Sequence, residues 1–177
     1  MSSTRILTLL GAALIVGLVS PAIAQDHGSE RRVRARLAGA NEVPTVSSTG
    51  HGELRGMIDR DDTELTYELS FDDLEGTVLQ SHIHIGQTSV SGGIMIWLCG
   101  TATNPGPPGT PTCPPPGGSV GRTVTAADVL AVTAQGIAAG EFAEALQAIR
   151  RGLAYANVHS TKHPSGEIRG QINESKD

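Results

Sequence analysis

The sequence predicts an all-β domain with a small helical insert, folded as a β-sandwich or a closed barrel. Three observations predict it. Apolar and polar residues alternate strictly over several short runs, the period of a half-buried strand. Glycine (22) and proline (10) are plentiful while aromatics are scarce, with one Trp, two Tyr and two Phe. That mix suits short strands, many turns and a core of Val, Ile, Leu and Ala. Helical spacing is confined to one stretch, residues 125–151.

The chain has 177 residues and a formal charge of −5. Its first 24 residues read as a secretory signal peptide: Arg5, then the apolar run Ile6–Val19, then the small-residue cleavage site Ala22-Ile23-Ala24. The run is short and wrongly flanked for a membrane span, so no span is expected in the mature form. Export to the periplasm or the medium is the expectation. Loss of Arg5 makes the remaining domain one unit more acidic, which argues against nucleic acid as a partner. Residues 25–30 are a polar lead-in, and 31–173 form one domain.

The strands follow in order. In Arg31–Leu37, Val33, Ala35 and Leu37 share one face and Arg32, Arg34 and Arg36 the other. The arginines read as a solvated strand face, with an anion site as the rival. Pro44, in Asn41-Glu42-Val43-Pro44, forbids a central ladder position and marks a turn or edge. Gly52–Ile58 places Leu54 and Ile58 inward. Asp59–Asp62 is a hairpin turn whose acidic cluster lacks the glycine and distal glutamate of a calcium loop. Thr63–Phe71 alternates most cleanly, with Leu65, Tyr67, Leu69 and Phe71 on one face. Val78–Ile85 carries His82 and His84 opposite Ile83 and Ile85. Gly92–Cys99 is apolar enough to be buried on both faces.

The two cysteines, Cys99 and Cys113, bracket a Pro/Gly-rich segment within an irregular loop, 99–121. In an exported chain a disulfide is the default, nominally about 3 kcal/mol by chain entropy and less here because the loop is already stiff. Two metal-binding thiolates are the rival; the spacing is wide and no histidine lies nearby. Thr125 caps a helix start with Asp128 three residues on, and Phe142, Ala145, Leu146 and Ile149 sit at helical spacing. Leu153–His159 and Glu167–Ile172 are the last two strands. Ala154, Ala156 and Val158 face one way; Tyr155, Asn157 and His159 face the other. The run Gly52-Glu53-Leu54-Arg55-Gly56 returns as Gly166-Glu167-Ile168-Arg169-Gly170, which suggests neighbouring strands.

The candidate chemistry lies in four of the six histidines. His82 and His84, two apart on a strand, point the same way. His159 sits on the equivalent face of its own strand, and His163 lies in the following turn. Two strands sharing a sheet would gather them into a copper or zinc site. The plainer reading is that they hydrogen-bond to backbone or to Glu42, Glu167 and Asn157, pinning loops at one barrel end. His27 and His51 read as incidental. No Ser-His-Asp arrangement and no phosphate-cradling loop is legible.

Five motifs carry a family resemblance: Leu37–Pro44 (LAGANEVP), Leu65–Leu69 (LTYEL), His82–Gly86 (HIHIG), Tyr155–His159 (YANVH) and Pro164–Gln171 (PSGEIRGQ). In these the chain resembles the CHRD domain, the module repeated in chordin and found singly in exported bacterial proteins. The resemblance implies an immunoglobulin-like Greek-key barrel, loosely similar to that of copper–zinc superoxide dismutases. It marks Asn41, Glu42, Asn157, Glu167 and Arg169 as motif residues of a binding or structural site. It implies no activity. The expected function is a non-enzymatic binding or structural module for an unidentified protein or extracellular ligand, with a possible metal at His82, His84, His159 and His163. The alternatives are a copper-dependent, dismutase-like redox protein and a periplasmic metal carrier. A dismutase would need a second, zinc-binding loop, and Gly86–Gly93 contains no His or Asp.

Overall fold

The computed structural model describes residues 31–175; the expected signal peptide, the lead-in and His27 lie outside them. Nine strands form one sheet: β1 (Arg31–Ala38), β2 (His51–Ile58), β3 (Leu65–Asp72), β4 (Val78–Ile85), β5 (Ile94–Cys99), β6 (Ser119–Val124), β7 (Ala154–Ser160), β8 (Ile168–Gln171) and β9 (Asn173–Glu174). The order is β5-β4-β7-β8-β1-β2-β3-β6, with β9 beside β1, and every ladder is antiparallel. The sheet curls until β5 and β6 nearly meet. Of the two architectures expected, this is the barrel.

Strand parity decides which residues fill it. Val33, Ala35, Leu37, Leu54, Ile58, Leu65, Tyr67, Leu69 and Phe71 are all buried, as the alternation requires. Across the barrel Ile83, Ile96, Ala156, Val158 and Ile168 complete the core. Burying these side chains is the main favourable term, about 1.5–3 kcal/mol for each large one.

The seam between β5 and β6 is closed without a ladder. The Tyr67 hydroxyl on β3 donates to the Leu98 carbonyl on β5 at 2.5 Å, and burial pushes its pKa up to about 12. The Leu130 amide donates to the Met95 carbonyl at 2.8 Å. Cys99 and Cys113 are disulfide-bonded, folding the proline-rich loop back along the same edge. The exposed edge of β5 is thereby covered, the usual remedy for an unpaired strand.

Four sequence expectations change. β6 and β9 were not expected; β6 is short, contains Gly121 and carries few apolar residues, so its alternation is faint. The segment after Thr125 is not an α-helix but a 3-10 turn (Ala126–Asp128), followed by a second at Thr133–Gln135. Its chain is diverted when Leu130 hydrogen-bonds to β5. Among the described residues only α1 (Phe142–Arg150) is α-helical, with Phe142, Ala145, Leu146 and Ile149 buried. The two strands with echoing Gly-Glu-x-Arg-Gly sequences, β2 and β8, are not neighbours; they flank β1 on either side.

The acidic cluster at 59–64 is a turn. Asp59 accepts the Thr63 and Glu64 amides, both at 2.8 Å, and Asp62 pairs with Arg150 and Arg31. Among the described residues no helix is long and apolar enough to cross a membrane.

Tyr67→Phe removes the buried side-chain hydrogen bond across the seam and strands a buried carbonyl. A loss of about 1–3 kcal/mol is expected, measured by urea unfolding of the oxidised protein. An unchanged midpoint would mean the seam is held by the disulfide and the Leu130 contact alone.

Candidate metal centre

β7 lies between β4 and β8, so their outward side chains form one polar face. His82 is in register with Asn157, and His84 with Tyr155; across the next ladder Asn157 faces Arg169, and Tyr155 faces Gln171. An outward polar face should be wet, yet His82, His84, Asn157, His159 and Arg169 are all buried. Loops shelter them. Residues 86–93 cover His84, 39–50 bring in Asn41 and Glu42, and 161–167 cover His159. The disulfide-tethered loop packs Gly106 against Trp97: a Cβ at Gly106 would come within 2.6 Å of the indole. Trp97 in turn meets His82 edge to face at 4.3 Å.

The three strand histidines converge, their ligand nitrogens lying within 4.8 Å of one another. His82 Nδ1 is 3.2 Å from His159 Nε2. His84 Nδ1 is 2.9 Å from the Gly92 carbonyl, and His159 Nδ1 is 2.9 Å from the Pro164 carbonyl. A carbonyl only accepts, so both Nδ1 atoms must carry the proton. Each Nε2 is then a bare lone pair in the neutral ring. His82 Nε2 and His84 Nε2 are buried with no hydrogen-bond partner.

All three rings are held neutral. Burial is the largest cause in each case. It takes His82 down to about 2, helped by His159 and His84. It takes His84 down to about 4, against the Gly92 carbonyl. It lowers His159 too, against the Pro164 carbonyl. Neutral imidazoles with backbone carbonyls behind them are the form in which histidine ligates a metal. Of the expected ligands, His82, His84 and His159 come together and His163 does not. The His163 ring is turned towards Glu75, at 3.5 Å, because the turn that carries it runs away from β7.

The other motif residues build the surround. Arg169 lies over the Tyr155 ring, 3.3 Å from its centre, and donates to the carbonyls of Val90 and Gln87 at 2.8 and 3.2 Å. Tyr155 stacks on His84 at 4.8 Å. Gln171 donates to the Gly86 carbonyl at 2.8 Å. The loop that supplies Gly92 is thus fixed from β8. Asn41 donates to the Arg169 carbonyl at 3.1 Å. Glu167, fully buried, accepts from Ser48 at 2.7 Å and from the Glu75 amide at 2.6 Å. Burial would raise its pKa, but hydrogen bonds from Ser160, the Glu75 amide and Ser48 outweigh it and hold the carboxyl below its usual range.

Glu42 behaves oppositely. Burial pushes it up to about 7, against the pull of Arg169, the Val43 amide and Asn157. Beside it, with Arg169, Thr88 and Ser89, opens a polar cavity of about 220 Å³. A larger groove of about 790 Å³ runs along the outer faces of β1, β2 and β3. It holds none of the histidines; its floor is the arginine face, where Glu53 pairs with Arg55 at 2.8 Å.

Sequence reasoning missed Trp97, Tyr155 as a stacking partner, and the two carbonyls. Tyr155 shares the parity of Asn157 and His159 and could have been placed. Backbone carbonyls leave no trace in residue identity.

The fold and the site together define an all-β barrel domain with a histidine cluster buried under loops on its outer face. The chain belongs to the CHRD domain family, whose signature matches residues 33–172. No curated protein and no solved structure matches it.

Two titrations of opposite sign follow for the metal-free protein. The histidines have folded pKa values below 6.5, so their stability is complete above that pH. It is lost as pH falls towards about 4, where His84 protonates. Glu42 has a folded pKa above its ordinary 4.5, so stability present below 4.5 is lost as pH rises through about 7. Glu42→Gln should therefore stabilise the metal-free domain by about 1–3 kcal/mol at pH 8 and by nothing at pH 4. Urea midpoints at both pH values check this; an equal effect at the two would contradict it.

Proposed function

We propose that this chain is an exported, non-enzymatic CHRD module that holds one zinc or copper ion through His82, His84 and His159. The observation that carries the reading is the pair of committed Nδ1 protons, on His84 and His159. They leave Nε2 of both rings unprotonated: His84 Nε2, like His82 Nε2, has no hydrogen-bond partner, and His159 Nε2 meets only His82 Nδ1 and the Asn157 side chain. Such groups are costly when buried, and a soft-to-borderline divalent ion satisfies them together. When bound, the ion would tie β4 to β7 and supply the positive charge that the burial excludes as protons.

Burial also separates the alternatives. The three rings are at most 8% exposed and lie under separate loops, which suits a resident ion better than one handed from carrier to partner. A dismutase-like copper centre needs a coordination position reached by solvent, and this arrangement favours none. The leader-like residues 1–24 support export. The role outside the cytoplasm is then that of a stable binding module, its partner an unidentified extracellular protein or ligand.

The test is elemental analysis of untagged protein recovered from an export-competent host, followed by zinc and copper titration. One equivalent of metal is expected, absent from His82→Ala/His84→Ala, on a chain beginning at Gln25. Metal at about a hundred times its dissociation constant adds about 2.7 kcal/mol, which raises the melting temperature by roughly 5–10 °C. Absence of binding to the wild type would leave the histidines as loop-pinning groups.

A further inference from the structure

The Asn157 side chain is part of the same cluster, and its surroundings are chemically odd. Asn157 is 3% exposed, and its amide oxygen lies 3.1 Å from His159 Nε2. His159 Nε2 has no proton, because Nδ1 holds it on the Pro164 carbonyl. Two lone-pair atoms therefore face each other with no hydrogen between them.

We propose that the amide oxygen of Asn157 is the fourth donor of the metal centre and that Glu42 is the positioning residue that aims it. The proposal rests on the metal reading above. The Asn157–His159 separation of 3.1 Å is close to the edge of a tetrahedron with 2.0–2.1 Å bonds, about 3.3 Å, and so fits two ligands of one ion.

A free amide beside a lone pair would turn its NH₂ towards it. Glu42 counters this: its buried carboxyl, with Oε1 lacking a hydrogen-bond partner, attracts the NH₂ and leaves the oxygen turned towards the rings. Space is kept for the carboxyl at Gly166, whose φ is +129° and whose added Cβ would fall 2.5 Å from Glu42 Oε1. The Asn41-Glu42 and Ser165-Gly166 motifs, far apart in the chain, thus serve one donor atom. Glu42 also places a compensating carboxylate just outside three neutral imidazoles. A donor set of three nitrogens and one neutral oxygen favours zinc or copper(II) over calcium or magnesium.

Cobalt(II), a coloured substitute for zinc, separates the outcomes when titrated at pH 7.5 into the metal-free mature protein. Wild type should give the intense visible bands of a four-coordinate site. Asn157→Ala should bind at least tenfold more weakly with altered bands. Asn157→Asp, which keeps an oxygen in place, should restore affinity with shifted bands. Glu42→Gln should weaken binding 10–100-fold, the usual effect of losing an orienting partner, with band positions unchanged. Asn157→Ala with wild-type affinity and spectrum would overturn the ligand assignment while leaving the histidine site intact. Glu42→Gln with wild-type affinity would overturn the positioning role. A wild type that binds neither cobalt nor zinc would overturn the metal reading and this proposal with it. Should Asn157→Ala fail to fold, shown by circular dichroism, Asn157→Asp and Glu42→Gln decide the matter.

Discussion

Two backbone carbonyls govern the polar face of this barrel. Gly92 and Pro164 each take the Nδ1 proton of a buried histidine, which fixes the tautomer and leaves Nε2 bare. Everything about the cluster follows from that constraint. The rings cannot share protons freely, burial keeps them from becoming cations, and their lone pairs have no donor within the fold except His82 Nδ1. A face that strand parity would leave in water has instead been dried and loaded with acceptors. Proteins bear such a cost where a ligand repays it.

The loops that supply these carbonyls must themselves be held. That is the work of the motif residues from β8 and the segment after β1. Arg169 grips the 86–93 loop through two carbonyls while its guanidinium lies on Tyr155, which lies on His84. Glu167 gathers Ser48 and the Glu75 amide. A guanidinium and a carboxylate are thus spent on positioning backbone, and the backbone positions the histidines. This second layer explains why the motif combines charged residues with glycines: the charges reach across to loops, and Gly166 leaves room for the Glu42 carboxyl.

Much of the fold was legible because strand period is written directly in residue type. The alternation of Val33, Ala35 and Leu37, and of Leu65, Tyr67, Leu69 and Phe71, places those side chains inward without ambiguity. β6 was not legible, since Ser119, Gly121 and Arg122 give its six residues little contrast. The helix start read at Thr125 is there, with its Asp128 capping box, but it runs for a single 3-10 turn, because a cap signal is local whereas Leu130 is claimed by a strand distant in sequence. In the site, parity put His82, His84, Asn157 and His159 on one face. It said nothing of the loops above, so it could not tell a wet face from a buried one. It also could not show that the turn directs His163 to Glu75. The role of Glu42 depends on a contact with Asn157 more than a hundred positions away, which no spacing rule reaches.

The central claim is that His82, His84 and His159 hold one ion. Anomalous scattering at the zinc edge from crystals of the mature protein grown with zinc tests it most directly. The account predicts a single strong peak about 2.0–2.1 Å from one nitrogen of each ring, with the Gly92 and Pro164 carbonyls still holding their Nδ1 protons. A map with the three rings packed as described and no peak among them, in protein saturated with zinc, would contradict it.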